Sequence, residues 1–476
     1  MFSKLLKITD IQQYIYSNPN EIADYNNIEF NQLKSQKEDI DEFILLNTEK
    51  IQSLDFSKYE NRNFVFLLYD FCEQLSLTTA MSVLWHIIKT TNIAVSSRID
   101  AANLFTLNVA TSDEYIYRFD DICYKLTYAI EKEEDNDTKA IGTFANYYLV
   151  VLGLQAKWIN ELRTKIKIAQ NNYSFLKSHF LQKIFAFEVS NKKECRLKII
   201  EAKSAFLQKK RIEFNFAPNN EISAEQDTPY AKLLKNTPKD ILEIRKLSVS
   251  LLNDSSEYWS LNRGVAILSR EQQLFSYMNS FGQMHFAKCE FAYINLPQFI
   301  FSNQIEIYDW GAGQGLATMC YLEFLNKNGY EQKITKATII EPSQLAIARA
   351  CLHVQKYHES VKINTINKVI DDLKNSDFEQ SKENIKLHIF SNILDIENFS
   401  LSSLTSLISS SFSGLNYFIC VSPYITESKV FRLQYFSDYF SNKHAFENIF
   451  EIEKRSGDWK GYGSWSIVLR IFKVIL

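Results

Sequence analysis

The chain has 476 residues, 46% of them hydrophobic and 23% charged, and a formal net charge of −3 at pH 7. This length predicts two or three domains, and this composition excludes a largely disordered chain. The slight negative charge excludes a protein that is basic overall and binds nucleic acid non-specifically, although a local basic patch stays open. The chain has 60 Phe and Tyr residues against 19 Gly and Pro residues, which favours long helices.

The cysteines and the N-terminal segment bear on the compartment. The seven cysteines include no pair with zinc-ligand spacing, and their number is odd, so neither a metal site nor a disulfide framework is expected. The first residues, MFSKLLKITDIQQYIYSN, lack an apolar region of signal-peptide length. No window reaches the roughly 18 apolar residues that a membrane span needs. We therefore expect a cytoplasmic protein with no metal and no membrane segment.

The first half of the chain has the apolar spacing of helices. Ser96 and Ser97 can cap one of them, because a serine hydroxyl accepts from the free backbone N–H groups of a first turn. The predicted helices are Asn63–Leu75, Ala80–Lys89, Arg98–Leu107, Asp113–Ile130 and Thr138–Ile168. We expect an all-α domain over residues 1–228, of the stacked helical kind that recognises a substrate or a partner, although no repeat of fixed period is present.

Residues 191–211, NKKECRLKIIEAKSAFLQKKR, form a basic segment. Two interpretations stay open: the solvated face of a helix, or a phosphate-facing surface on which Lys209, Lys210 and Arg211 contact a nucleic-acid substrate. Ala217–Thr228 is polar and is the best linker candidate. A helical bridge over residues 229–300 is expected to follow and to cover a pocket.

From Ile305 onward, short β-rich runs alternate with helical ones. The strand candidates are Ile305–Tyr308, Lys336–Ile340, Val361–Ile366, Lys386–Phe390, Tyr417–Val421 and Trp465–Ile475. The helical candidates between them are Gly315–Asn326, Ser343–Glu359, Val369–Asn375 and Ser400–Ser411. This alternation predicts an α/β domain over residues 301–476, with a parallel sheet and helices on both of its faces.

The segment Asp309-Trp-Gly-Ala-Gly-Gln-Gly315 follows the first of these strands and opens a helix. The strand brings the chain to the carboxyl edge of the sheet, where ligands bind in open α/β folds. Glycines in such a turn allow positive φ angles and let a ligand approach the backbone closely. The segment therefore predicts a cofactor-binding loop.

The spacing of this loop separates two kinds of cofactor. A dinucleotide site has the pattern G-x-G-x-x-G, but position 316 is Leu, and the glycines here follow G-x-G-x-G. Asp309 at the strand end would repel a pyrophosphate and would suit the ammonium group of a methionine moiety. These two features favour S-adenosylmethionine over a nicotinamide dinucleotide.

Glu341 ends the next predicted strand, in the sequence ATIIEPS. A carboxylate at this position can accept hydrogen bonds from both ribose hydroxyls. Pro342 and Ser343 then suit the start of a helix.

Asp-x-Gly-x-Gly-x-Gly, then Glu-Pro-Ser, and a fourth strand ending near Ser391-Asn392 together resemble the class I S-adenosylmethionine-dependent methyltransferase superfamily over about residues 261–476. The resemblance implies a Rossmann-like, seven-stranded sheet with an antiparallel final hairpin. It implies that Glu341 holds the ribose and that Asp371 or Asp372 lies near the adenine. It also implies that four residues line the methionine side of the cofactor: Asp309, Gly311, Gly313 and Gly315.

Methyl transfer needs alignment more than a dedicated catalytic group, so catalytic residues are weakly marked. In the resemblance, the fourth-strand end faces cofactor and acceptor, which makes Ser391, Asn392 and Asp395 candidates. Upstream, His285 and Lys288 are three residues apart and share a helix face. His285 is either a ligand contact or base, or a structural histidine.

The sequence predicts a methyltransferase that acts on a macromolecule, RNA or protein, because the helical region is larger than a small-molecule enzyme needs. A methyltransferase-like domain without activity, acting as a binding or assembly module, is the alternative. A nucleotide-dependent oxidoreductase is disfavoured by Leu316.

Overall fold

The structure is a computed structural model of the whole chain. The residues that it describes are 6, 8–25, 28–91, 95–107, 109–131, 133, 137–208, 216–379, 384–396, 399–424, 427–454 and 465–476. Their contacts divide the chain into two compact units: unit 1 comprises Met1–Ile212 with Ile425–Phe431, and unit 2 comprises Glu213–Tyr424 with Arg432–Leu476.

Every regular secondary-structure element described in unit 1 is a helix. Its α-helices are α1 Ile11–Ser17, α2 Pro19–Tyr25, α3 Phe30–Ser35, α4 Lys37–Leu46, α5 Thr48–Gln52, α6 Tyr59–Leu75, α7 Thr78–Thr90, α8 Ser97–Thr106, α9 Glu114–Tyr117, α10 Phe119–Glu131, α11 Asp137–Gly153, α12 Ala156–Ala169, α13 His179–Phe185 and α14 Lys192–Leu207. A 3-10 turn, Ser174–Lys177, precedes α13.

The helices of unit 1 follow their apolar spacing. In α6, Phe64, Leu68 and Phe71 are buried three and four residues apart, so one face of the helix enters the core. The predicted cap of α8 is confirmed, since the Ser96 hydroxyl accepts from the Ile99 backbone N–H.

Two long helices predicted in unit 1 are each divided in the structure. The stretch 113–130 breaks at Arg118 into α9 and α10, and the stretch 138–168 breaks after Gly153 into α11 and α12. The helical spacing of apolar residues continues across both breaks, so this spacing does not show where the backbone leaves the helix. At the second break Gln155 is extended, which ends α11 and starts α12.

Unit 2 begins earlier than the predicted boundary at residue 228. The backbone N–H of Asn220 donates to the Thr365 carbonyl at 2.8 Å, and the Thr365 N–H donates to Asn220 Oδ1 at 3.0 Å. The segment predicted as a linker is therefore attached to the edge of the sheet, because its polar residues satisfy backbone groups of the last strand on that side.

The helices of unit 2 before its sheet are α15 Pro229–Asn236, α16 Ile241–Ser250, α17 Glu271–Ile294 and α18 Gln298–Phe301, with a 3-10 segment Ser255–Gly264. The strands are β1 Ile305–Trp310, β2 Ile334–Ile340, β3 Lys362–Ile366, β4 Ile385–Ser391, β5 Leu415–Ser422, β6 Ala445–Lys454 and β7 Ile467–Ile475. The connecting helices are α19 Leu316–Asn328, α20 Gln344–Tyr357, α21 Leu401–Ser411 and α22 Glu427–Lys443. The predicted helix 369–375 is two 3-10 turns, Ile370–Asp372 and Asn375–Asp377.

The sheet has the strand order β3-β2-β1-β4-β5-β7-β6. Strands β1 to β5 run parallel to one another, and β7 runs antiparallel to both β5 and β6. The order reverses at β1, so the loops after β1 and β4 leave the sheet side by side. The predicted seven-stranded sheet with an antiparallel final hairpin is confirmed, and β6 is the strand that no candidate run covered.

Candidate active site

The glycine-rich loop after β1 turns on three left-handed residues. Gly311, Gly313 and Gly315 have φ angles of 64°, 51° and 72°. A Cβ on Gly311 would lie 2.7 Å from the Ile393 side chain, and one on Gly315 would lie 2.9 Å from Ala350 Cβ. A Cβ on Gly313 would meet nothing within 4 Å. Gly311 and Gly315 thus allow close packing, whereas Gly313 opens the loop towards free space that a ligand can fill.

Asp309 closes the base of this loop. Its side chain is buried, and Oδ2 accepts from the Thr318 N–H at 3.2 Å and from the Thr318 hydroxyl at 2.7 Å. Burial raises the pKa of Asp309 to about 6, against the lowering effect of those hydrogen bonds. Asp309 satisfies a free N–H in the first turn of α19, so it joins the end of β1 to that helix. Its predicted contact with a methionine moiety stays a prediction.

Glu341 joins the loops that follow β1 and β2. Its Oε2 accepts from the Gly313 N–H at 3.0 Å, and its Oε1 accepts from the Ser343 N–H at 2.9 Å. Burial, with the nearby charge of Asp309 as a smaller contribution, raises the pKa of Glu341 to about 7 against the lowering effect of these two hydrogen bonds. A carboxylate has about four lone-pair sites, so each oxygen keeps acceptor capacity for a ligand beside Gly313.

Helix α17 and the residues just before it are hydrogen-bonded to these loops. Gln314 Nε2 donates to the Leu274 carbonyl at 2.8 Å, and the Ser343 hydroxyl donates to the Leu268 carbonyl. Burial raises the pKa of Tyr277, a side chain of α17, and the charges of Glu341 and Asp395 contribute in the same direction. The helix thus covers the carboxyl edge of the sheet.

The structure brings three predicted catalytic residues together at the end of β4. Nδ2 of Asn392 lies 3.0 Å from Nδ1 and 2.9 Å from Nε2 of His285. Oγ of Ser391 lies 3.4 Å from His285 Nδ1, and the Tyr277 hydroxyl lies 3.2 Å from His285 Nε2. Cys289, a residue in no motif of the sequence, places its Sγ 3.8 Å from Ser391 Oγ. Their catalytic roles stay predictions.

His285 is a neutral imidazole at physiological pH. Burial, and to a smaller degree the positive charge of Lys288, lowers its pKa to about 3. Asn392 has a φ of 54°, a left-handed conformation that Asn tolerates better than most residues. The Oδ1 atom of Asn392 is buried without a hydrogen-bond partner among the described residues. Ile393 packs against Gly311, so this cluster adjoins the glycine loop.

Asp395 and Ser422 form a further contact beside this cluster. The Ser422 hydroxyl at the end of β5 donates to Asp395 Oδ1 at 2.8 Å, and both residues are buried. Asp395 was a sequence candidate. Ser422 was not, because it ends a different strand and lies 27 residues further along the chain.

Two buried hydrogen bonds of His353 connect the glycine loop to Tyr230. His353 Nδ1 lies 2.8 Å from the Gln314 carbonyl oxygen, and its Nε2 lies 2.8 Å from the Tyr230 hydroxyl. Burial lowers the pKa of His353 to about 3, so the ring is neutral. A carbonyl can only accept, so Nδ1–H donates to Gln314 and Nε2 accepts from Tyr230. Sequence spacing could not reveal this contact, because Tyr230 lies far from the loop along the chain.

The remaining predicted residues lie elsewhere. Asp371 is exposed, and its Oδ1 accepts from the Ser400 N–H at 3.0 Å; an adenine contact by Asp371 or Asp372 stays a prediction. Lys209, Lys210 and Arg211 lie outside the described residues. Within the same basic segment, Lys203 is buried, and its Nζ donates to the Gln74 carbonyl at 2.9 Å.

Within the described ranges, no group of three or more His, Cys, Asp or Glu side chains is placed to hold a metal ion. None of the helices described above has the length and apolarity needed to cross a membrane.

No family model matches the chain, and no curated protein matches it. Solved structures similar to it include three methyltransferases. The plantazolicin methyltransferase BpumL in complex with SAH has 13% identity and a TM-score of 0.29, over 49% of this chain and 98% of that one. The DszA carbon methyltransferase has 11% identity and a TM-score of 0.31, over 70% of this chain and 88% of that one. The CMeT domain of citrinin polyketide synthase has 13% identity and a TM-score of 0.29, over 80% of this chain and 98% of that one.

TM-scores this low do not assign the fold class, so the assignment rests on the strand order of unit 2. That order, with five parallel strands and a final antiparallel pair, is the sheet that the sequence resemblance implies. Unit 2 therefore has the Rossmann-like, seven-stranded class I methyltransferase fold.

Proposed function

We propose that unit 2 binds S-adenosylmethionine and that the chain is a methyltransferase. The observation that carries the proposal is the open side of Gly313 beside the carboxylate of Glu341. A glycine loop that faces free space lets a ligand approach its backbone closely. An acid at the end of the next strand supplies acceptors for ribose hydroxyls. Leu316, buried in the first turn of α19, takes the position where a dinucleotide site has its third glycine.

S-adenosylmethionine supplies, when bound, a methyl group on a cationic sulfur. The residues of this chain would then align the acceptor and exclude water, which is the main contribution that such a displacement needs. His285, Asn392 and Ser391 are the groups for this task, because they cluster where Ile393 contacts the glycine loop. The neutral ring of His285 can accept a hydrogen bond from the acceptor and hold it in line with the methyl group.

We propose a macromolecule, RNA or protein, as the acceptor, with unit 1 as the part that recognises it. The support is the size of the helical unit, Met1–Ile212, which carries a hydrophobic core of its own. An inactive methyltransferase-like module remains the alternative, and an activity measurement separates the two.

Calorimetric titration of the full chain with S-adenosylmethionine and with S-adenosylhomocysteine tests the cofactor. We expect saturable binding by wild type and at least about tenfold weaker binding by Glu341→Ala, a loss of about 1.4 kcal/mol. Glu331→Ala, at an exposed acid of the same unit, is the matched control and should bind like wild type. Absence of binding by wild type contradicts the proposal. Binding without transfer of labelled methyl to RNA or protein of a cell extract favours the inactive module.

A further inference from the structure

Helix α10 of unit 1 exposes a face of tyrosines and acids. Its core side is made by Phe119, Ile122, Cys123, Leu126 and Ala129, which are all buried. The opposite side carries Tyr124 and Tyr128, one helical turn apart, with exposed fractions of 61% and 43%. Their ring centroids are 6.3 Å apart. We call Tyr124, Tyr128 and the exposed acids Asp120, Asp121 and Glu131 on this helix the tyrosine face.

Tyr117, the last residue of α9, lies two residues before α10 begins and is exposed too, with an exposed fraction of 74%. Single exposed aromatics need no explanation, but neighbouring ones mark interaction sites more often than ordinary surface. Tyrosine is enriched in protein interfaces because it offers a large rigid ring at a small entropic penalty and a polar hydroxyl at its tip.

The charge around the tyrosine face indicates what it binds. Residues 113–131 contain five acids and two bases. Asp120 lies 3.3 Å from Lys165 Nζ, and the other two acids of the face are exposed. Arg and Lys side chains bind over tyrosine rings and pair with carboxylates. Phosphates would be repelled here, so the rings are poorly placed to stack RNA bases.

We propose that the tyrosine face docks a basic polypeptide segment, with Arg or Lys side chains over Tyr124 and Tyr128 and neighbouring cations near Asp121 and Glu131. Every residue of this surface belongs to unit 1, whereas the residues of the proposed cofactor site belong to unit 2. It makes a protein, rather than RNA, the macromolecule that this part of the chain contacts.

Fluorescence anisotropy with the full chain tests the proposal. The probes are a labelled arginine- and glycine-rich peptide, a glutamate- and glycine-rich peptide of equal length, and a single-stranded RNA oligonucleotide. We expect the basic peptide to bind best, and Tyr124→Ala/Tyr128→Ala to weaken it at least about tenfold. Tyr124→Phe/Tyr128→Phe keeps both rings and should keep most of the affinity.

Leu46→Ala is the control, since Leu46 is another exposed large side chain of unit 1 with an exposed fraction of 70%. It should bind the peptide like wild type. Both tyrosine positions are on the surface, so the thermal unfolding midpoint of each variant should match wild type, which shows that the variants fold. Equal peptide affinity of the double Ala variant and wild type overturns the proposal. So does tighter binding of the RNA, or no binding of the basic peptide.

Discussion

The Tyr230 hydroxyl donates to Nε2 of His353 at 2.8 Å, and it thereby fixes the tautomer with which His353 holds the glycine loop. Tyr230 lies in α15, well before the sheet along the chain, yet it acts on the backbone between Gly313 and Gly315. The pair is fully buried, so neither group can be replaced by water without rearrangement.

Removing this hydroxyl should loosen the loop. We expect Tyr230→Phe to lower the free energy of unfolding by about 1 kcal/mol, since one buried acceptor loses its partner, and to weaken cofactor binding as well. Tyr321→Phe is a matched control, because the Tyr321 hydroxyl is also buried and donates to Gln332 Oε1 at 2.6 Å, outside the loop. It should cost similar stability and leave cofactor affinity unchanged. Equal loss of affinity in both variants would show that Tyr230 acts only through overall stability.

The three glycines should respond differently to alanine. Gly313→Ala meets no protein atom, so its effect on stability is the left-handed strain alone, about 1 kcal/mol. Its methyl group would fill the ligand space, and we expect it to abolish cofactor binding. Gly315→Ala adds the overlap with Ala350 and should lower stability more. Thermal unfolding and calorimetry on both variants check this, and an unchanged affinity in Gly313→Ala would contradict the placement of the ligand.

Cofactor binding should depend on pH through Glu341. Its pKa is raised to about 7 by burial, so its carboxylate is largely protonated at pH 6 and largely ionised at pH 8. Affinity should therefore rise with pH across this window, measured by titration at several pH values. Glu341→Gln should bind more weakly and flatten the profile between pH 6 and 8. A wild-type affinity that falls as pH rises would refute the role of this carboxylate.

The same raised pKa values affect folding with the opposite sign. The folded chain holds protons on Asp309 and Glu341 more tightly than the unfolded chain does. Their contribution to stability is therefore present below about pH 4 and is lost as pH rises towards 7. Between these values, ligand-free Glu341→Gln should show a weaker fall of stability with pH than wild type, measured by denaturant unfolding. A steeper fall in that variant would show that Glu341 does not titrate as proposed.

His285 should act in its neutral form. Its pKa of about 3 predicts that the rate of methyl transfer shows no inflection near pH 6.5 from this group. His285→Ala should slow transfer about a hundredfold, because the acceptor loses a hydrogen bond that aligns it with the methyl group, and it should leave cofactor affinity within a few-fold of wild type. Transfer of labelled methyl at saturating cofactor measures the first effect, and calorimetry the second. His285→Ala with unchanged transfer would make His285 a structural residue.

The sequence by itself determined the α/β class of unit 2, the position of its glycine loop and the acid at Glu341, because these depend on local signals: strand runs, turn glycines and a charge at a strand end. It also placed His285 and Asn392 among the candidates without relating them to each other. Only the tertiary structure decided that these two side chains meet, that Gly313 alone among the loop glycines has free space beside it, and that Tyr230 supports the loop. Contacts between residues far apart along the chain depend on how helices cross the sheet, and no local spacing encodes that geometry.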